Sequence, residues 1–450
     1  YATVAGGNGN EVSADYASVA GGDSNLNVGF GGAIGGGVGN SVHASNTSVI
    51  AGGFHNAAYG NWSTIAGGQY NAVYGDNAAI GGGLDNTATG EYGVVSGGTV
   101  NNVTAYSAAI AGGEGNVAAG VCSFVGGGRG NQAAHGQSSV IAGGEDNTAN
   151  ASFASIGGGE SNSVTDAWGT IAGGLENTVT DSWGTVAGGY YNIAAYTSTI
   201  GGGFGNRAYG SYATVGGGSY NRAYAPWGTV AGGYYIYIYG YAGAVGGGRL
   251  NTAYGYEATV AGGYYNVAQA WSAVGGGSYN RAYSLWGTVA GGYYNNIYAN
   301  WGSVGGGSYN NVYAARSTIA GGSYNTVYAS WGTIGGGGYS YIYCPWGTVA
   351  GGHNNYVYGY AATVGGGMYN SVYYEYATVA GGYSNVAAYA SAVGGGYDNG
   401  AYGSYVAVGG GWYNNVYGDY AAVGGGSYNR VYSDYATVAG GNGNEVSADY

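Results

Sequence analysis

Four histidines, two cysteines and twenty carboxylates are the whole stock from which this 450-residue chain could build an acid–base, nucleophilic or metal site. A hydrolytic triad needs Ser or Cys beside a His base that a carboxylate orients. His43, His55, His135 and His353 occupy positions 13, 9, 14 and 8 of a fifteen-residue repeat, all expected to be exposed strand or corner sites, and no two share one position. Charged residues are 6% of the chain, too sparse to cluster as hydrolase sites on β-helices do. Cys122 and Cys344 fit neither a disulfide framework nor a metal-ligand spacing. The seven arginines, with no lysine and a net charge of −13, form no basic patch for a phosphate backbone. The expectation is therefore a chain with no catalytic residue, no metal, no cofactor and no nucleic-acid partner.

Two weaker motifs concern cations and sugars. The stretch "GGNGNEVSAD" from Gly6 follows the calcium repeat G-G-x-G-x-D-x-U-x in outline. That motif runs on a nine-residue period with Asp where this chain has Asn, so a glycine turn explains the stretch better. Four Asn-x-Ser/Thr sequons begin at Asn46, Asn61, Asn102 and Asn150 and are candidate glycosylation sites.

What the chain repeats with regularity is aromatic. Tyr283, Tyr298, Tyr313, Tyr328, Tyr343, Tyr358 and Tyr373 are fifteen apart without a break. Trp271, Trp286 and Trp301, then Trp331 and Trp346, follow a second series of the same spacing broken once at Arg316, and Trp168 and Trp183 share that spacing earlier. If these residues face outward, each series is a stripe longer than soluble monomers usually leave bare. Stacking between neighbouring repeats, contact with another chain, a glycan coat and an adhesion surface are the readings open to it.

The element that positions these residues is a fifteen-residue unit present about thirty times: aromatic, small, Thr, Val, small, Gly, Gly, x, x, Asn, x, Val/Ala, Tyr, small, x. Position 4 is Val or Ile throughout, as at Val289 and Val304. Position 10 is Asn, as at Asn295 and Asn310, except at Ile236 and Ser340. Steps of fourteen or sixteen, and both prolines, Pro226 and Pro345, fall between position 12 and the next position 2, which marks a corner. Alternation over positions 1–5 predicts one strand with 2 and 4 inward, and positions 11–13 a second with 12 inward. The intervening Gly-Gly-x-x-Asn is a turn, with glycine supplying positive φ and Asn tolerating the left-handed region. Glycine is far too frequent for helices, which lose about 1 kcal/mol for each interior one.

The fold expected is all-β: a rod-shaped parallel β-solenoid, or β-roll, of about thirty coils with two short strands each. At about 4.8 Å per coil it would be roughly 140 Å long. Residues 1–450 form a single repeat array. A thirty-residue coil with four strands is the competing geometry, because "GGG" and "AGG" units alternate from Gly216 to Gly394. The Asn of position 10 is expected to stack into an amide ladder.

The phrases "YATVAGGNGNEVSADYASVAGG", "NWSTIAGGQYNAVYGDNAAIGGG" and "NTATGEYGVVSGG" resemble the head repeats of trimeric autotransporter adhesins. The likeness runs the length of the chain and implies a surface-exposed β-roll. The chain departs from that family in having Gly6 and Gly67 where an aliphatic residue is usual, and in its Tyr and Trp load. The functional expectation is an extracellular structural fibre or surface rod, serving matrix building or surface attachment. An adhesin head binding a host or environmental ligand through its aromatic flank is the alternative. Ice binding is a remote third, because Thr3, Thr64 and Thr288 at position 3 lack a second Thr beside them. No run of apolar residues is long enough to span a membrane. Residues 1–16 recur identically as 435–450, which suggests a window on a longer array that self-associates end to end, and laterally through its aromatic stripes.

Overall fold

The computed structural model describes residues 1–447 and contains no helix among them. The chain divides into two compact units, Tyr1–Trp227 and Gly228–Tyr450. Each is a parallel β-solenoid with two two-residue strands per coil. In the first unit β1 (Thr3–Val4) pairs in parallel with β3 (Ser18–Val19), and β2 (Glu11–Val12) with β4 (Leu26–Asn27). In the second unit Val289 lies beside Val304 and Ile297 beside Val312 in the same way. Each residue thus pairs with its counterpart one unit on, so the coil is fifteen residues long and the thirty-residue alternative is overturned. Coils of sixteen and fourteen keep the pairing, as Ala33 opposite Val49 and Thr185 opposite Thr199 show. The corner absorbs the difference.

Two features differ from the expectation. The strands cover only positions 3–4 and 11–12, and position 1 lies outside them. A third ladder of single bridges runs along position 8, for example Tyr293 to Ser308 to Ser323.

The direction of the amides in one coil explains its geometry. The N–H groups of Thr288, Ala290, Tyr293, Asn296 and Tyr298 all donate forward to carbonyls of the next coil, at 2.8–3.0 Å. Those of Tyr294 and Trp301 donate backward, to Ser278 and Leu285, each at 3.0 Å. This reversal requires left-handed backbone, and φ is 54° at Tyr294 and 63° at Trp301. The left-handed residue is therefore the one before the Asn, together with position 1, and not the Asn itself. A left-handed L-residue costs roughly 1–2 kcal/mol.

The Asn has a different task. With position 9 reversed, the N–H of position 10 also points backward, where no carbonyl waits. The side chain of the preceding Asn fills that gap: Asn310 N–H donates to Asn295 Oδ1 at 3.1 Å, and Asn325 N–H to Asn310 Oδ1 at 3.1 Å. Asn310 Nδ2 then donates to the Gly306 carbonyl of its own turn and to that of Gly322 in the next coil, both at 2.9 Å. In other coils the amides also meet directly, as from Asn71 Nδ2 to Asn56 Oδ1 at 3.1 Å. Ser340 carries the ladder on through its hydroxyl, which accepts from Asn355 N–H at 3.5 Å.

The second glycine of each pair is sterically required. A Cβ on Gly292, where φ is +95°, would collide with the Gly307 carbonyl and come within 2.6 Å of Asn295 Nδ2. The first glycine, Gly291, has open space around its Cβ position. The glycine before the pair in "GGG" units is also closely packed, whether the next coil carries Ala or Gly there, as at Gly409 against the Gly424 carbonyl. A Cβ on Gly305 or Gly335 would run into the carbonyl of Ala320 or Ala350 in the next coil.

The core is thin. Val289, Val304, Ile297 and Val312 are fully buried, as are Asn295 and Asn310. Gly302 at position 2 leaves room for Ile297, whose Cγ2 would lie 2.5 Å from any Cβ there. The one polar residue at position 12, Asn27, is buried and donates to the carbonyls of Gly32 and Ser18 at 2.8 and 3.0 Å.

Candidate functional site

Position 13 follows directly on the second strand, so its side chain leaves the coil beside that of the next coil. Tyr283 to Tyr373 form an unbroken stack, with neighbouring ring centroids 4.7–5.6 Å apart and planes within 26°. Position 1 leaves from the left-handed corner. There Trp271, Trp286 and Trp301 stack at 5.4 and 5.2 Å, and Trp331 stacks on Trp346 at 4.8 Å. Arg316 occupies the intervening coil, its guanidinium 4.8 Å from the Trp331 ring centre. In the first unit Trp168 and Trp183 stack at 4.9 Å. These residues are about half exposed: Tyr313 at 44%, Trp301 at 54%.

A third ladder was not singled out from the sequence. Tyr279, Tyr294, Tyr309, Tyr324 and Tyr339, at position 9, stack at 4.7–5.3 Å within 9°. The signal for it is the recurring "YYN" and "SYN" before the turn Asn. It was hidden because position 9 reads as a turn residue, and turns are not expected to carry stacked rings. Stacking of about 0.5–1.5 kcal/mol per pair helps offset the left-handed backbone at this position.

Stacking sets what the ladders can present. Each ring covers the faces of its neighbours, so edges and hydroxyls are what remain exposed. The crowding also disfavours ionisation. The hydrogen bond between Tyr279 and Tyr264, followed by burial, pushes Tyr279 up to about 12. A hydrogen bond to Tyr293 raises Tyr309. Burial first, then the neighbouring phenols, raises Tyr298, Tyr343 and Tyr358.

The remaining candidates are dispersed. His43 and His55 stack on Tyr59 and Tyr70 as members of aromatic rows. Among the described residues no group of three His, Cys, Asp or Glu could hold a metal ion. Both cysteines are free. Of the sequons, Asn150 is exposed. Asn102 is half-buried, and Asn46 and Asn61 are tied into a corner ladder in which Asn46 N–H donates to Asn61 Oδ1 and Asn61 N–H to Asp76 Oδ1. The Thr of position 3, as at Thr288, Thr318 and Thr333, is exposed on the first strand of its coil. No described helix is long and apolar enough to cross a membrane.

No protein-family model matches the chain, and no curated protein matches it.

Proposed function

We propose that this chain is a non-enzymatic, extracellular structural β-solenoid that builds a fibre or surface rod for matrix formation or attachment. The observation that carries this reading is how the repeat uses its residues. The Asn, the second Gly, the Val pair and the reversed corner amides all act between one coil and the next. The recurrent chemistry left over is the outward aromatic ladders. Such an arrangement suits mechanical continuity and lateral contact better than turnover of a substrate. Self-association follows from it, end to end through the backbone pairing that joins coils and side to side through the aromatic rows. A glycan coat on the same rows, or on Asn150, is compatible with this use.

The alternative is an adhesin head whose aromatic flank binds a host or environmental ligand. The quoted repeat phrases support kinship with autotransporter adhesin heads. A parallel β-roll is common to many repeat proteins and does not select that family. Ice binding is the weakest reading, since the Thr row has no second row beside it. Projection imaging of the native particle separates the first two. A continuous filament supports the fibre, whereas short discrete heads overturn it in favour of the adhesin.

A further inference from the structure

The tyrosines of positions 9 and 13 in the second unit flank position 11 on one outward face. A shallow cleft lined by Tyr239, Thr252, Tyr254 and Tyr265 runs between the two rows, which shows that they share a surface. The rows partly cover the position between them: Asn296 and Thr326, each flanked by two tyrosines, are only 9% and 6% exposed, and Asn311 is half-buried. Where position 11 is itself Tyr, its ring lies beside that of position 13, as with Tyr341 and Tyr343 at 6.2 Å. From Tyr279 to Tyr373 the result is a phenolic slab several coils long.

We propose that this slab is an isologous docking face for a second copy of the chain, a proposal that rests on the structural reading above. Three observations select that occupant. The first is area. The position-13 and position-9 tyrosines whose exposure is 39–50% would together offer on the order of 700 Å², taking ~200 Å² per ring, near the ~800 Å² per partner of a standard interface. The second is charge. In a chain of net charge −13, no Asp or Glu occurs between Glu257 and Glu375, so two such faces meet without carboxylate repulsion. The one cation among the three rows, Arg281, lies over the Tyr283 ring at 6.0 Å. A two-fold pairing with the faces antiparallel sets the two copies of Arg281 at opposite ends. The third is chemistry and period. A phenol both donates and accepts hydrogen bonds, so a row of hydroxyls is complementary to itself. A row spaced by one coil is matched along its whole length by another row with that spacing. A sugar platform is less suited, because the ring faces it would stack on are already covered.

The test uses the full chain at a series of concentrations, with mass from light scattering and width from projection images. The wild type is expected to form side-by-side pairs, doubling in width. Tyr298→Arg/Tyr313→Arg/Tyr328→Arg is expected to weaken pairing at least tenfold. Thr288→Arg/Thr318→Arg/Thr333→Arg, which adds the same charge to the exposed row of the other strand, is expected to pair as the wild type does. Far-ultraviolet circular dichroism and protease resistance check that both variants are folded. Tyr313→Phe/Tyr328→Phe keeps the stacks and is expected to pair more weakly than wild type and more tightly than the arginine variant. Equal pairing of the tyrosine-to-arginine variant and the wild type overturns the proposal. So does capture of an unpaired wild type on cellulose through the same tyrosines, which makes a glycan the partner. Filaments one solenoid wide in both proteins overturn the pairing and leave the structural reading standing. Absence of assembly at every concentration overturns both.

Discussion

Replacing Asn310 by leucine tests the account of the amide ladder most directly. The side chain is fully buried and makes three hydrogen bonds: it accepts from Asn325 N–H at 3.1 Å and donates to the carbonyls of Gly306 and Gly322, both at 2.9 Å. A leucine side chain has similar bulk and none of these groups, so in Asn310→Leu the Asn325 N–H and the Gly306 carbonyl lose their partner, while the Gly322 carbonyl still accepts from Ser308 N–H at 2.9 Å. A buried group left without its partner costs about 1–3 kcal/mol. Two of them amount to roughly 2–4 kcal/mol after allowance for the apolar gain. In a solenoid each coil interacts with its nearest neighbours, so the loss is confined to coils around residues 295–325. Amide hydrogen exchange read by mass spectrometry gives the local value, and a loss of about 3 kcal/mol speeds exchange by about a hundredfold. Asn310→Ser is expected to fall between wild type and the leucine variant, because a hydroxyl can accept from the next N–H as Ser340 does. Equal exchange in the leucine and serine variants, or acceleration spread evenly over the whole chain, would refute the ladder as the local clamp.

Gly292→Ala should destabilise its coil by about 3 kcal/mol or more, since it adds left-handed strain to a collision with the neighbouring carbonyl, whereas Gly291→Ala should be tolerated; limited proteolysis ranks the two. Val289→Asp places a carboxylate in a fully buried site and should open the stack locally, while Thr288→Asp, on the exposed face, should keep wild-type protease resistance. Several tyrosines have raised folded-state values, so ionisation favours the unfolded chain, whose phenols titrate near the ordinary value of about 10. The stability from these groups is full below pH 10 and is lost as pH rises toward the value of about 12 reached at Tyr279. Phenolate absorbance of the folded chain should therefore rise later than that of a peptide control, and coincident curves would contradict the crowding.

The parity of the core and the fifteen-residue period were legible in the sequence because a solenoid places the same residue type at the same height in every coil. Val289, Val304 and Ile297 recur where only a buried side chain need be β-branched, and Trp286 or Tyr298 recur where a narrow coil has no room for a ring. Asn295 and Asn310 were legible as turn residues and as members of a ladder. Their role as acceptors was not, because it depends on which way neighbouring amides point. That direction is decided between coils. Tyr294 and Trp301 take left-handed backbone against their own preference because their N–H groups bond backward to Ser278 and Leu285. The same inter-coil bonding shortens the first strand, moves position 1 to the corner and stacks the position-9 tyrosines into a ladder. It also selects the fifteen-residue coil over the thirty-residue one. Residue preference is a property of one unit, whereas hydrogen-bond register belongs to two, and only the assembled solenoid contains both.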